Sequence, residues 1–425
     1  MRHWRIRVRK KGEIMAVTSQ PETKFNLVQG SLVVFAAFIA FSMVYGMVLY
    51  SFTIFVNPVA KSFGAEVAEV QLAFAATNVG TGILGIFGGM LLSRYSKRLC
   101  IIVGLAVLAA SFYGLSMVTE LWQFIGLYGI AVAFGASLAA PMGASAIVNN
   151  WFIKNRGRAL TFATLGTSFG QLVIPKYIAG PIIAAHGWQT AYQAFAGILV
   201  VVGIPLIFLL VTDHPEEKGM KPYGADEAGA AVVASNAPVP STGEILARGD
   251  FWSIAISYIL GVFVYLGLLA SMVPYARGLG FTPADGLTLV AVSGIAAIVG
   301  KFFFATFTDR MGLRNTFWIA LALNSASLVA LLTMKDLTGL TIASACVGGA
   351  AGGLLPVWPG LVAFRFGRHT LPKVMGLMGP IVVSLQGFGA ALAAKLHYTL
   401  AFEIALGMMV VSAIVSRNLN KPAPN

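Results

Sequence analysis

GGMLLSRYSKR, residues 88–98, and ATFTDRMGLR, residues 305–314, decide how this chain is organised. Each is a short basic turn that follows the second long apolar run of its half, and the two lie about half the chain apart. A turn repeated at that offset is what duplication of a six-helix unit leaves behind. Composition supports a membrane setting for both copies. Of 425 residues, 57% are hydrophobic and 11% charged, against about 25% charged in an ordinary soluble domain. Mean hydropathy is +0.81.

A helix that crosses hydrocarbon needs about 20 apolar residues. Runs of that kind lie near 31–55, 69–92, 99–118, 122–147, 159–184 and 189–211, and again near 252–275, 285–307, 316–334, 339–363, 374–394 and 399–416. The expected fold is therefore all-α and integral to the membrane, with twelve transmembrane helices in two pseudo-symmetric six-helix bundles, residues 29–212 and 251–416. A polar, proline-containing segment, residues 213–250, reads as a linker between them, with tails at 1–28 and 417–425.

The bases fix an expected orientation. Of 29 Lys and Arg, 23 fall in the two tails and the five connections on one side, 4 (Lys61, Arg277, Lys335 and Lys395) fall on the other, and Lys176 and Lys301 sit within helices. That bias puts both termini in the cytoplasm and the chain in the inner, or cell, membrane. The net charge of +13 is thus topological. It calls for lipid headgroups as partners and argues against nucleic acid, because the bases are dispersed between apolar blocks. Residues 1–14, MRHWRIRVRKKGEI, carry six bases with no apolar run of signal-peptide length behind them. Either translation begins at Met15 or the segment is a basic arm held to anionic lipid. Cys100 and Cys346 make neither a disulfide framework nor a ligand cluster, so no cofactor or metal is expected. No nucleophile, base and orienting group come together to suggest an enzyme.

The two turns resemble a motif of the major facilitator superfamily, in which Gly, three variable residues, Asp, Arg, any residue, Gly and then bases lie between helices 2 and 3, with a weaker copy between 8 and 9. Here the second copy keeps Asp309, Arg310, Gly312 and Arg314, whereas the first keeps Gly89, Arg94, Lys97 and Arg98 but has Ser93 and Ser96 in place of the acid and the second glycine. The resemblance implies that Asp309, Arg310 and Arg94 gate the cytoplasmic side, an Asp at a helix end pairing with a neighbouring Arg and helix terminus. The competing reading makes these bases simple topology anchors.

Further stretches resemble the monocarboxylate porter and oxalate/formate antiporter branch. They are GMVLYSFTIFVNP (46–58), NWFIKNRGRALTFATLGTSFG (150–170), HGWQTAYQAF (186–195), and VPYARGLGFTPAD (273–285) followed by IVGKFFFATFTDRMG (298–312). The resemblance implies a small organic anion, a mono- or dicarboxylate, as substrate. In that branch an arginine stands after a glycine where this chain has Gly300-Lys301, and it holds the substrate carboxylate. Two departures matter. Ala139-Ala140 replaces a Tyr-Asn pair before Pro141, which suggests a larger, less polar space and a bulkier carboxylate. Helix 1 lacks the lysine, and helix 8 the aspartate, tied to proton coupling in animal monocarboxylate porters, so anion exchange or facilitated diffusion competes with proton symport.

Ionisable groups inside a membrane are the default functional candidates, since burying a charge there costs about 2.5–3.5 kcal/mol or more. The acids lie in tails, connections or helix ends, leaving Lys301 and Lys176 without an evident carboxylate. Lys301 lies about 12 Å from the cytoplasmic end of its helix and offers a point charge with three donors; snorkelling to inner phosphates is the alternative. Lys176 follows Pro175 and either bonds locally or adds a second cation, which would suit a dicarboxylate. Tyr50, Gln171 and Tyr265 are the expected polar and aromatic walls. Tyr45, Asn78, Tyr258, Trp358 and Gln386 are weaker candidates, each more often packing, and Pro356 and Pro359 are candidates for bending helix 10. The expected activity is alternating-access transport by a functional monomer, as symport or anion exchange with a coupled proton or counter-anion; an exporter of hydrophobic or cationic compounds on the same fold would instead want acids in the cavity.

Overall fold

The computed structural model describes residues 26–224, 240–367 and 370–419, without the side chains of Arg156, Asp309, Leu355, Pro356, Pro372 and Asn418. The basic segment around Met1 and Met15, the middle of the linker, and the side chains of Asp309 and Pro356 therefore lie outside the described residues. Eleven apolar helical stretches run through the rest. In chain order these are α1 (Leu27–Phe63), α2 (Val67–Arg94), α3 (Lys97–Leu115), α4 (Leu121–Trp151), the stretch Gly157–Leu210, α7 (Gly249–Gly278), α8 (Pro283–Met311), α9 (Leu313–Thr333), α10 (Leu337–Phe366), α11 (Lys373–Lys395) and α12 (Tyr398–Val415). Gly157–Leu210 counts twice. Gly187, at φ 86° and ψ 169°, breaks it into α5 and α6, in backbone geometry that costs glycine little and a residue with a Cβ much. Twelve spans result, and among the described residues no β-strand forms beyond a single bridge between Phe152 and Tyr223.

Helices are what hydrocarbon permits, because each satisfies its backbone internally. Their ends are matched to their dipoles. The even-numbered helices α2, α4, α8 and α10 begin at the end opposite the basic connections, and acids cap them there: Glu66 with Glu69, Glu120, Asp285 with Thr282, and Asp336. At the basic end the last turns of α2, α8 and α10 carry Arg94, Arg310 and Arg365. Negative charge at N-termini and positive charge at C-termini stabilise each helix by a few tenths of a kcal/mol to about 1 kcal/mol. The same charges thus serve the helix ends and the asymmetry between the two faces.

The repeat is visible in side-chain contacts. Arg98, at the start of α3, donates to the Phe208 carbonyl near the end of α6 and lies 4.3 Å over the Phe208 ring. Arg314, at the start of α9, donates to the Arg417 carbonyl beyond α12 at 3.1 Å and lies 4.7 Å over the Trp318 ring. Both bundles therefore tie a basic turn to a carbonyl at the end of their last helix, although the ring under Arg98 belongs to α6 and the ring under Arg314 to α9 itself. The irregular first turn is completed from elsewhere: Ser96 caps α3 by accepting from Leu99 N at 3.1 Å, and Asp213 beyond α6 accepts from Arg98 N at 2.7 Å.

The halves differ in one respect. The N-terminal bundle contains π-helical turns at Tyr45–Tyr50, Tyr128–Val132, Leu138–Ala144, Ile174–Ala179 and Leu199–Gly203. Pro141 and Pro175 sit in two of them, where a missing N–H shifts the hydrogen-bond ladder.

Three contacts join the bundles: α5 against α8, α2 against α11, and the second half of α1 against α7. At the first, a Cβ on Gly294 would lie 3.0 Å from Leu172 N; at the second, a Cβ on Gly82 would lie 2.6 Å from Ser384 Oγ and 3.1 Å from Pro380 O. Closer to the basic end the second seam parts. Gly89, two turns below Gly82 on the same face of α2, and Gly376 of α11 have no neighbour within 4 Å of a built Cβ. The bundles consequently meet at the middle and at the acid-capped end and diverge at the basic end.

Within the C-terminal bundle, α10 presses on α8 behind Lys301: a Cβ on Gly352 would collide with backbone atoms of Gly300 and Lys301. Gly352→Val is expected to lower the thermal midpoint of the purified protein by the equivalent of about 1–3 kcal/mol of overpacking. Gly407→Val, where nothing lies within 4 Å, should leave it unchanged. Equal midpoints for the two variants, read by intrinsic fluorescence in detergent, would contradict this packing.

Candidate functional site

The polar residues of the membrane interior gather where α1, α5, α7 and α8 meet. The π-helical turn Tyr45–Tyr50 carries Tyr50, which is buried and interacts through its side chain with Tyr265 on α7 and Thr167 on α5. Tyr45 and Tyr258 lie near enough to Tyr265 to complete a tyrosine group. Tyr258 in turn stacks on Trp358 of α10, ring centroids 5.0 Å apart, and the Trp358 indole donates to Met378 Sδ at 3.0 Å.

Lys301 reaches this group from the opposite bundle. Its ammonium donates to the Thr164 carbonyl at 2.7 Å and to Thr167 Oγ1 at 2.6 Å, both on α5. The Thr167 hydroxyl is itself oriented, donating to the Thr164 carbonyl at 3.0 Å so that its lone pairs face the ammonium. Among the described residues no carboxylate pairs with Lys301. An ammonium has three N–H donors, and these two bonds leave one uncommitted. One turn farther along α5, Gln171 Nε2 donates to Ser293 Oγ of α8 at 3.0 Å, and both residues are buried. On the other seam Gln386 Nε2 donates to Asn78 Oδ1 at 3.0 Å. Chemically, the site presents one cation, several hydroxyls and aromatic walls. Among the described residues no group of three His, Cys, Asp or Glu is placed to hold a metal ion.

Four of the five residues expected to bind substrate are brought into this region: Lys301, Tyr50 and Tyr265 through Thr167, and Gln171 beside them on α5. Lys176 is not. It lies nine residues beyond Thr167, about 13 Å along the helix, in the π-helical turn Ile174–Ala179. Its ammonium sits 5.9 Å from the ring of Tyr177, which is 64% exposed. The structure does not bring this second cation to Lys301. A second correction concerns Ala139 and Ala140. Both are fully buried, and Ala139 abuts Gly104 of α3, so their small size serves helix packing and opens no space for a bulkier ligand. Arg94 and Arg310 are exposed at the basic ends of α2 and α8 and make no ion pair among the described residues. Two surface cavities, about 510 and 440 Å³, lie apart from the polar group, one along the start of α1 and α5 and one beside Asn57, Glu66 and Arg277.

Thr164 and Thr167 escaped the sequence reading, although a signal exists. Thr164, Thr167, Ser168 and Gln171 recur at i, i+3, i+4 and i+7, a polar stripe on one face of an otherwise apolar helix. Asp250 and Arg365 escaped as well. They lie 115 residues apart and pair at the basic end, Arg365 donating to Asp250 Oδ1, with Arg248 Nη2 3.5 Å from Asp250 Oδ2.

Comparison with known proteins follows the same lines. The sequence profile of the Major Facilitator Superfamily matches residues 31–391. The oxalate:formate antiporter of Oxalobacter formigenes is 24% identical over 374 residues, 87% of this chain and 85% of its own length. Monocarboxylate transporter 12 of Homo sapiens is 21% identical over 379 residues, 83% of this chain and 73% of its own length. A solved structure of a bacterial homolog of the human lysosomal transporter Spinster, inward-facing and unoccupied, matches with a TM-score of 0.64 over 94% of this chain and 100% of its own at 14% identity, a likeness of fold.

The Asp250–Arg365 pair is mostly buried, with side-chain exposures of 18% and 8%. Breaking such a pair by removing one partner costs about 3 kcal/mol, whereas replacing both by apolar residues is often near neutral. Asp250→Leu is expected to lower the thermal midpoint, and Asp250→Leu combined with Arg365→Met to recover at least half of the loss. Strictly additive losses in that double-mutant cycle would show that the two side chains do not depend on each other.

Proposed function

We propose that this chain, which belongs to the Major Facilitator Superfamily, carries a small organic anion across the cell membrane by alternating access, with the anion held against Lys301. The observation that carries this reading is a lysine in the membrane interior, hydrogen-bonded across the seam between the bundles and without a carboxylate among the described residues. A cation so placed costs at least about 2.5–3.5 kcal/mol, and an anionic cargo supplies the missing charge each time it binds. Tyr50 and Tyr265 contribute hydroxyl and ring contacts, and Gln171 fixes the α5 wall beside them. With Lys176 set apart on α5, a single cation suits a monocarboxylate better than a dicarboxylate, and the packed Ala139 favours a small one.

The basic end is assigned to the cytoplasm on the 23 to 4 distribution of Lys and Arg, which makes the arrangement described here inward-open. Arg94 and Arg310, exposed and without an ion pair among the described residues, are placed to pair when the basic ends of α2 and α8 approach their opposite bundle. Asp309 is the acid proposed to complete that latch. Similarity to an oxalate:formate antiporter and a monocarboxylate transporter supports the choice of carboxylate over a hydrophobic or cationic cargo. Cargo movement is coupled either to a proton or to a counter-anion.

Proteoliposome flux of a carboxylate panel tests this directly, with and without a pH gradient and with a counter-anion inside. Saturable flux is expected for at least one small monocarboxylate, falling at least about tenfold in Lys301→Ala, since a hydrogen bond to a charged group is worth about 1.5–3 kcal/mol. Dependence on the pH gradient identifies symport, and dependence on trans anion identifies exchange. Flux that survives Lys301→Ala, or a panel with no transported carboxylate, would hand the site to a different cargo.

A further inference from the structure

Lys301 is held by two oxygens of α5, and what holds it matters for how the carrier turns over. We propose that Thr167, together with the Thr164 carbonyl, is the resident counter-ligand of Lys301, substituting for the anion so that the empty carrier can reorient and the protein performs net transport as well as exchange. This inference rests on the reading that Lys301 binds the anion.

The argument is one of charge and position. A loaded site has its cation matched, but an empty one must carry an unmatched ammonium through a state closed to water at both ends. Bare, that charge opposes closure, and the carrier returns only when refilled from the other side. Here two oxygens on α5 receive it at 2.7 and 2.6 Å. The hydroxyl also has an acceptor for its own proton in the Thr164 carbonyl at 3.0 Å, which leaves lone pairs available to Lys301.

Position determines whether the contact can persist. α5 and α8 touch along their length from the acid-capped end to this point: Gly180 against Leu287, Gly294 against Ser168 and Leu172, then Lys301 against Thr164. Lys301 and Thr164 form the last contact of that run, about 12–15 Å from the basic ends of their helices, and a resident counter-ligand requires this contact to hold while those ends open and close. Tyr50 also interacts with Thr167. An anion arriving between Tyr50 and Lys301 therefore competes with that hydroxyl for the ammonium and releases Lys301 from Thr167 as it binds. Thr167 acts through Lys301, as a positioning residue.

The test is the ratio of two fluxes of one transported carboxylate in proteoliposomes clamped at zero membrane potential with valinomycin and potassium. Net flux is measured with no carboxylate on the far side, and exchange with carboxylate on both. Wild type is expected to show both modes. Thr167→Val, which removes the acceptor while keeping the shape, is expected to lower the ratio of net flux to exchange about tenfold, the effect of losing one hydrogen bond to a charged group. Thr167→Ser, which keeps the hydroxyl, should hold the wild-type ratio. A merely structural role would reduce both modes together. Parallel loss of the two in Thr167→Val, an unchanged ratio, or a wild type that exchanges but shows no net flux overturns the inference. Exchange that survives in Lys301→Ala instead overturns the anion assignment beneath it, so the two failures are distinguishable.

Discussion

A single ammonium held in a membrane interior by two oxygens of the opposite bundle is the interaction on which the rest depends. Lys301 has no carboxylate among the described residues, and its bonds to Thr164 and Thr167 cross the boundary between the two halves. A charge in that place is stable only while something polar faces it. Oxygens of Thr164 and Thr167 face it in this structure, and the proposed cargo supplies a carboxylate. Binding and movement between halves are thereby tied to the same side chain.

The remaining architecture keeps that side chain where it is. Gly352 and Gly348 let α10 lie directly against α8, the first behind Lys301 and the second against Ser293. Gly294 lets α8 approach α5 closely enough for a lysine stem to bridge them. The π-helical turn Tyr45–Tyr50 holds the helix 1 tyrosines at the same level, an irregularity of the kind often found at functional sites. Beyond the site, acids at one end and arginines at the other match the dipoles of α2, α8 and α10 and mark the two faces. The clasps of Arg98 and Arg314 onto the last helix of each bundle keep each half a unit.

The architecture was legible in the sequence because hydropathy and charge are one-dimensional signals. Apolar runs of about 20 residues and the repeated basic turn give twelve spans, and the bend at Gly187 divides the longest of them as the His186-Gly187-Trp188 entry to helix 6 suggests. The site was half legible. Lys301 stands out as a cation in an apolar run whatever its neighbours, and so does Lys176, yet their surroundings differ in ways only three dimensions reveal. Pro175 and the π-helical turn around it leave Lys176 beside the exposed ring of Tyr177. Thr167 was hidden for the opposite reason: threonine is common in membrane helices, and its meaning comes from a lysine 134 residues away. The Asp250–Arg365 pair is equally remote in sequence. Ala139 shows a small residue misread as space when it is a contact.

On the proposed reading the anion and α5 compete for Lys301. A cryo-electron microscopy structure of the protein with a saturating transported monocarboxylate decides between them. Carboxylate density is expected within hydrogen-bonding distance of Lys301 Nζ, with the Nζ to Thr167 Oγ1 contact lengthened beyond bonding distance. A carboxylate bound elsewhere, with Lys301 still seated on Thr164 and Thr167, would contradict it.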